Sequence, residues 1–239
     1  MNPLLSDSVI NHDSRIIVAL DFPDEKSTLN FVRNLNPNLC RLKVGKELFT
    51  ASGRSLVEKL MTQGFDIFLD LKYHDIPNTV AAACRTAAEM GIWITDMHTM
   101  GGRRMMEAAA NAVANYRNRP KLIGVTVLTS MEEGDLAEIG INRPINEMVL
   151  HLAQMAQQSG LDGTVSSAQE AKILRQKMGD SFLLVTPGIR LVSLNDDQRR
   201  TMTPIEAIRA GASYLVIGRP ITRAENPLDV LVQINQSIM

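Results

Sequence analysis

The most constraining feature of this sequence is a regular alternation between short apolar runs and longer segments with helical spacing. Eight runs rich in branched apolar residues are predicted to be strands, and they cover 16–20, 41–44, 67–72, 92–98, 122–128, 163–166, 182–186 and 214–218. Most of them are apolar at successive positions, which is typical of parallel strands that are buried on both faces. The alternation therefore predicts an α/β protein in which helices cover a parallel sheet.

The segments between the runs have the apolar spacing of amphipathic helices. Helices are predicted at 52–63, 79–90, 101–116, 146–159 and 167–178. Thr203-Pro204 and Asn226-Pro227 each place a capping residue before a proline, which indicates two further helix starts. The length of 239 residues is close to the ~250 residues of a typical β/α barrel. We predict one (β/α)8 barrel domain over 1–239, with 1–14 as an N-terminal tail, and an open doubly wound sheet as the alternative.

The composition narrows the classes of partner. The 25 Lys and Arg residues balance 26 Asp and Glu, a formal charge of −1, so no basic field favours nucleic acid or an anionic membrane. No apolar run approaches the ~18 residues of a membrane span, and the first residues lack the basic start of a signal peptide. Cys40 and Cys84 have no metal-site spacing and are interpreted as reduced, partly buried thiols. We expect a soluble, cytoplasmic protein.

Charged residues occur where several predicted strands end, which is where a β/α barrel carries its chemistry. Asp21 follows the first strand, Lys43 lies in the second, and Asp70 and Lys72 lie in the third. Because side chains alternate along a strand, Asp70 and Lys72 share one face. A structural ion pair would explain these two residues about equally well. Four charges of alternating sign at one barrel mouth favour a binding or catalytic site instead.

A second candidate site follows the eighth predicted strand. Gly218 allows close approach of the backbone to a ligand, and Arg219 offers a two-pronged donor for phosphate oxygens. Loops after strands seven and eight of a barrel often bind phosphate, so we favour this interpretation over an ordinary turn with a solvated arginine. Arg190 and Gln198 belong to the long polar segment 188–200, which is predicted to form a lid over a ligand.

A resemblance to a known family centres on the third strand. The stretch FDIFLDLKYHDIPNTV is similar to the signature of orotidine 5′-monophosphate decarboxylases, with DxKxxD at Asp70, Lys72 and Asp75. The likeness continues in order through VALD, RLKVGKELF, VTVLTSM, LVTPGIR, DQRR and VIGRP, and it is strongest to the bacterial branch. The resemblance implies a (β/α)8 barrel that converts orotidine 5′-monophosphate to UMP and CO₂ in de novo pyrimidine synthesis, with no cofactor and no metal.

The resemblance also implies a role for each matching residue. Lys72 would protonate C6 of the pyrimidine after CO₂ leaves, and Asp70 would lie against the substrate carboxylate. Lys43 and Asp75 would complete an alternating catalytic array of lysines and aspartates. Substrate contacts are implied for Asp21, Lys43, Asp70, Thr79, Thr129, Ser130, Arg190, Gln198, Gly218 and Arg219. Asp75 and Thr79 would reach the site from the partner subunit of a homodimer with shared active sites.

Two other functions remain open at this point. A Mg²⁺-dependent sugar-phosphate lyase of the same barrel superfamily would share DxKxxD, but it would need an acidic metal ligand on the second strand, where this chain has Lys43. A non-catalytic phosphate-binding barrel would keep Gly218 and Arg219 without needing the charges of the third strand.

Asp96 and His98 end the fourth strand, and the histidine is interpreted as structural because it lacks the spacing of a metal ligand.

Overall fold

Eight parallel strands close into a barrel in the computed structural model of the chain, which describes residues 14–191 and 202–239. Strands β1 to β8 are Ile16–Ala19, Arg41–Gly45, Ile67–Tyr73, Ile94–His98, Lys121–Val125, Gly163–Val165, Leu183–Thr186 and Tyr214–Ile217. Each strand pairs with the next in the sequence, and β8 pairs with β1 to close the ring. The predicted (β/α)8 architecture is confirmed, and the open sheet is wrong. The predicted tail, apart from Ser14, lies outside the described residues.

Helices connect the strands. In chain order, α1 to α10 are Glu25–Val32, Lys46–Thr62, Pro77–Glu89, Arg103–Val113, Glu133–Glu138, Ile145–Gln158, Ala168–Met178, Pro204–Arg209, Arg219–Thr222 and Pro227–Ile238. Both helix starts predicted from a capping residue and a proline are confirmed. Thr203 forms a capping box with Glu206 before α8, and the Asn226 side chain accepts a hydrogen bond from the Asp229 N–H before α10.

Several predicted element boundaries differ from the structure. β5 ends at Val125 instead of continuing to Leu128, and β4 begins at Ile94 instead of 92. A barrel strand extends only where a neighbour of matching register can pair with it, and apolar character alone does not mark that limit. Helix α2 begins at Lys46, before the predicted start at 52, and includes a kink at Gly53 with φ 63°. The shorter helices α1, α5 and α9 were not predicted.

The interior of the barrel is a packed apolar core. Alternate residues of the strands point inwards, and this inner cluster consists of Ile17, Ala19, Phe68, Ile94, Ile123, Val185 and Val216. At the amino-terminal end of the strands, the Arg41 guanidinium stacks 4.3 Å from the centre of the Trp93 ring and bonds Asp66 at 3.1 Å. The packed interior leaves the carboxyl ends of the strands as the place where a ligand can enter the barrel.

Gly163 provides a direct test of the strand pairing. It lies opposite Leu183 in the pairing of β6 with β7, and a Cβ atom there would lie 2.2 Å from the Leu183 carbonyl oxygen. We expect Gly163→Ala to lower the free energy of unfolding by about 3 kcal/mol, because a backbone atom of the neighbouring strand would have to move. Urea denaturation measures this loss.

Gly134 in α5 is the matched control, because a Cβ at that position would have no atom within 4 Å. Gly134→Ala should leave the unfolding free energy unchanged or raise it by up to about 1 kcal/mol, since alanine favours a helix over glycine. Equal stability of the two alanine variants would contradict the described pairing of β6 and β7.

Candidate active site

A cavity of about 350 Å³ opens at the carboxyl ends of the strands, and every strand or the loop after it contributes to its lining. The two halves of the barrel give it two different walls. Valine side chains line it from the second half, on β5 to β8: Val125, Val165, Val185 and Val216. Charged side chains line it from the first half: Asp21, Lys43, Asp70, Lys72 and Asp96. One ligand in this cavity would therefore meet an apolar wall and a charged wall.

The structure brings most of the predicted site residues together. Those that line the cavity are Asp21, Lys43, Asp70, Lys72, Thr129, Arg190, Gly218 and Arg219. Ser130 is exposed next to Thr129 but is not part of the lining. Asp75 and Thr79 also do not line it, and Asp75 lies in a separate groove together with Pro77 and Arg104. Gln198 and most of the predicted lid lie outside the described residues.

The charged wall is a continuous chain of alternating ion pairs. Lys43 Nζ lies 3.7 Å from Asp21 Oδ1 and 3.0 Å from Asp70 Oδ2. The other oxygen of Asp70 accepts a hydrogen bond from Lys72 Nζ. The Lys43 and Asp70 side chains are only 12% and 10% exposed, so water screens their attraction weakly. The order along the wall is aspartate, lysine, aspartate, lysine.

Asp70 is the centre of this chain and remains ionised over a wide pH range. Burial alone would raise its pKa, but the ammonium groups of Lys43 and Lys72 outweigh burial and lower the pKa to about 2. A carboxylate held ionised in this way attracts the ammonium group of each lysine beside it. The site can therefore present two ammonium groups to a ligand at neutral pH.

Lys72 has an unusual backbone conformation. Its φ is 49°, and it is the one non-glycine residue with positive φ within the described ranges 14–191 and 202–239. The pairing of β3 with β4 shifts register between Leu69 and Tyr73, which marks a β-bulge around Lys72. Bulges redirect side chains and are common beside active sites. A left-handed backbone conformation costs a residue other than glycine about 1–2 kcal/mol. This local strain is typical of a functional residue.

Asp96 is a cavity residue to which the sequence analysis gave no role. It is fully buried on β4, and its Oδ1 accepts a hydrogen bond from the backbone N–H of Lys72 at 2.8 Å. A signal was present in the sequence, since an aspartate interrupts the apolar character of ITDMH. That signal became informative only once the structure showed β4 beside the bulge of β3.

The described parts of the chain contain neither a cluster of metal ligands nor a membrane-spanning helix. In those parts, no three His, Cys, Asp or Glu side chains cluster as metal ligands would. The carboxylates of Asp21 and Asp70 instead hold the Lys43 ammonium between them. No helix within the same residues has the length and apolar character needed to cross a membrane. Cys40 and Cys84 are both free and buried, as predicted.

The low pKa of Asp70 leads to a pH-dependent stability. Because its folded-state pKa is about 2 against an ordinary value of 3.8, its stabilising effect is fully present above pH ~4 and disappears as the pH falls towards 2. The wild type should lose about 2 kcal/mol more unfolding free energy than Asp70→Asn over this interval. Urea denaturation at pH 5, 4, 3 and 2.5 would measure both slopes, and identical slopes would contradict the ion-pair assignment.

Known proteins resemble this chain over almost its whole length. A family model described as "Orotidine 5'-phosphate decarboxylase / HUMPS family" matches residues 14–234. An orotidine 5'-phosphate decarboxylase from Neisseria meningitidis serogroup C is 64% identical over 99% of this chain and 97% of its own length. One of the same name from Hydrogenovibrio crunogenus is 60% identical over 96% of this chain and 98% of its own.

A solved structure agrees with the same assignment. The crystal structure of orotidine 5'-phosphate decarboxylase from Lactobacillus acidophilus matches with a TM-score of 0.84 and 39% identity, covering 94% of this chain and 99% of that one. The family resemblance predicted from DxKxxD and its flanking motifs is confirmed. By its barrel, by the extent of the family match and by the identity to its relatives, the chain belongs to the orotidine 5'-phosphate decarboxylase / HUMPS family.

Proposed function

We propose that this chain decarboxylates orotidine 5′-monophosphate to UMP and CO₂, a step of pyrimidine biosynthesis, and that it does so without a cofactor or metal. The observation that carries the proposal is the buried ion chain that places Lys72 and Asp70 together at the cavity. Relatives that are 60–64% identical over nearly the whole chain are named for the same reaction. We also propose that the reaction takes place in the cytoplasm.

The proposed chemistry depends on the ammonium group of Lys72. Loss of CO₂ from C6 leaves an electron pair in an sp² orbital, where no ring carbonyl can delocalise it. A fixed ammonium beside that carbon stabilises the developing negative charge and then donates its proton to C6, which completes UMP. Lysine suits this role because its ammonium is compact and can release a proton, whereas arginine cannot.

Asp70 and Lys43 prepare Lys72 for proton donation. The Asp70 carboxylate attracts the Lys72 ammonium and holds its Nζ by a hydrogen bond. In the proposed complex, Asp70 also lies beside the substrate carboxylate. Lys43 bonds the second oxygen of Asp70, so the Asp70 carboxylate cannot turn away from Lys72 without breaking an ion pair. This arrangement supplies preorganised charge before the substrate arrives.

The residues at the ends of β7 and β8 are proposed to hold the phosphate. Arg219 is exposed at the cavity, and Gly218 and Arg190 lie beside it in the lining. Phosphate binding far from C6 would contribute energy that keeps the pyrimidine against Lys72. Thr129 is proposed to meet the pyrimidine edge together with Ser130, and Gln198 to complete the phosphate contacts. Asp21 and Lys43 are proposed to bind the ribose hydroxyls.

Asp75 and Thr79 are proposed to act in the active site of a partner subunit. Both are exposed and absent from the lining of their own cavity. Between them, Ile76 is 67% exposed, and contact with another protein surface would remove this apolar side chain from water. A two-fold dimer would place these residues of each subunit in the site of the other.

The Mg²⁺-dependent lyase is the less favoured alternative. A divalent cation would need oxygen ligands at the position where the Lys43 ammonium bonds Asp21 and Asp70. Turnover measured with and without chelator separates the two functions, because only the metal-dependent enzyme should lose activity to EDTA and regain it with Mg²⁺.

Lys72→Ala tests the proposed proton donor. We expect it to remove nearly all turnover of orotidine 5′-monophosphate, followed by the loss of substrate absorbance, while UMP still binds. Lys59→Ala is a matched control, because Lys59 lies on α2 and pairs with Glu25 on the surface; its turnover should equal that of the wild type. If Lys72→Ala kept turnover within about tenfold of the wild type, a barrier change of only ~1.4 kcal/mol, the proposed role would be wrong.

A mixed dimer tests whether the sites are shared. Lys72→Ala and Asp75→Asn, each inactive alone, are unfolded together in equal amounts and reassembled. If Asp75 serves the partner, each hybrid has one site with both lesions and one intact site. Random pairing makes about half of the dimers hybrids, so about a quarter of wild-type activity should return. Each variant reassembled alone is the control, and native mass spectrometry confirms that hybrids form. Activity that stays at the level of the parents would refute the shared site.

A further inference from the structure

Asp96 is a buried acid that the mechanism proposed above does not use. It lies within β4, is 0% exposed, and contributes to the cavity lining beside Asp70 and Lys72. Transfer of an unpaired carboxylate into a protein interior costs several kcal/mol, so a carboxyl group at such a position normally has a definite partner or holds a proton. The contacts of its two oxygens indicate what it does.

The first oxygen of Asp96 replaces a lost backbone hydrogen bond. In regular pairing, alternate N–H groups of β3 would bond carbonyl oxygens of β4, but the register shift between Leu69 and Tyr73 interrupts the pairing around Lys72. Asp96 Oδ1 accepts the Lys72 N–H instead, at 2.8 Å. This bond fixes the residue whose backbone is left-handed, with φ 49°. Without an acceptor at this position, the buried N–H of Lys72 would be unsatisfied and its strained conformation less favourable.

The Asp96 carboxyl group also contacts Asp70, the centre of the ion chain. Asp96 Oδ2 has no donor among the residues the structure describes, and the carboxyl groups of Asp96 and Asp70 lie within hydrogen-bonding reach of each other. Two carboxylates cannot bond each other, but a protonated acid can donate to a carboxylate. Burial, followed by the charge of Asp70, raises the pKa of Asp96 well above its ordinary value. The neutral acid can therefore donate its proton to Asp70, which remains ionised.

We propose that Asp96 is a positioning residue for Lys72, which holds the Lys72 backbone through Oδ1 and supports Asp70 from β4, so that the ammonium points at the reacting carbon. The inference rests on the proposed function, because it assumes that Lys72 donates the proton. It extends the ion chain inwards by one residue that need not touch the substrate. Its consequence is that the left-handed bulge of β3 is maintained from β4.

Asparagine at this position would reproduce both contacts of the neutral acid. Its side-chain oxygen can accept from the Lys72 N–H, and its amide can donate to Asp70. Alanine would remove both contacts. A pair of variants, Asp96→Asn and Asp96→Ala, therefore distinguishes positioning by hydrogen bonds from a need for the charge of Asp96 itself.

Thr95→Val is a matched control for the loss of a buried polar contact. Thr95 neighbours Asp96 on β4, is 0% exposed, and donates from Oγ1 to the Leu69 carbonyl of β3 at 3.1 Å. It does not line the cavity. Valine keeps its shape and removes the hydrogen bonds of its hydroxyl, to the Leu69 carbonyl and to the Tyr73 side chain. We expect lower stability and a kcat within about threefold of the wild type, because Lys72 is not disturbed.

The experiment measures kcat and KM for orotidine 5′-monophosphate, the Kd for UMP and the circular dichroism of each protein. Asp96→Ala should lower kcat by about 100-fold, the effect of a small misplacement of a catalytic group, with KM and the UMP Kd within about threefold. Asp96→Asn should restore kcat to within about threefold of the wild type. If Asp96→Ala does not fold, Asp96→Ser takes its place with the same expectation, since serine is too short to reach the Lys72 N–H.

Each other result overturns the inference. A folded Asp96→Ala or Asp96→Ser with wild-type kcat would show that Lys72 needs no positioning from β4. A folded Asp96→Asn with the 100-fold loss would show that the charge of Asp96 is required, and an equal loss of kcat in Thr95→Val would show a general effect of strand stability. Absence of turnover in the wild type would overturn the proposed function as well, whereas a wild-type enzyme that is active beside an unaffected Asp96→Ala would overturn this inference alone.

Discussion

The attraction between the Asp70 carboxylate and the two ammonium groups beside it is the interaction on which the rest of this site depends. Asp70 and Lys43 have little solvent contact, so their ion pairs take the place of the water that would otherwise solvate these charges. Lys72 is more exposed, with 28% of its side chain accessible, and it is the end of the chain that a substrate can reach. The site thus has two buried charged side chains, Asp70 and Lys43, and a more accessible lysine, Lys72, at the end of the chain.

The barrel makes this interaction possible by its register. Asp70 of β3 lies opposite Gly45 of β2. Gly45 is two residues beyond Lys43 on β2. Lys43 Nζ lies close to Gly45, since a Cβ at that position would be 3.4 Å from it, an ordinary van der Waals distance. The Lys43 side chain can therefore reach across to Asp70 and back to Asp21 at the end of β1. Three neighbouring strands are joined by charges at the end where the barrel is open.

The strained backbone of Lys72 in β3 accompanies the redirection of its side chain towards the cavity. A regular strand would bond β2 and β4 with alternate N–H groups and would direct side chains alternately inwards and outwards. The bulge gives up pairing between Leu69 and Tyr73 and gains a redirected Lys72 at the mouth. Asp96 supplies the missing acceptor from the next strand. Function and stability oppose each other here, as they often do at sites that hold charge away from water.

The sequence alone determined the fold class, the family and most of the charged residues at the mouth, Asp96 being the exception. Eight apolar runs separated by helical segments are enough to indicate a barrel, because buried parallel strands leave few other arrangements for a chain of this length. Asp70 and Lys72 could be placed on one face from strand periodicity. The tertiary structure alone decided the exact strand ends, since pairing stops where the neighbour stops. It alone showed that Asp75 lies away from its own cavity and that Asp96 bonds Lys72, because contacts between strands depend on register, which no single strand contains.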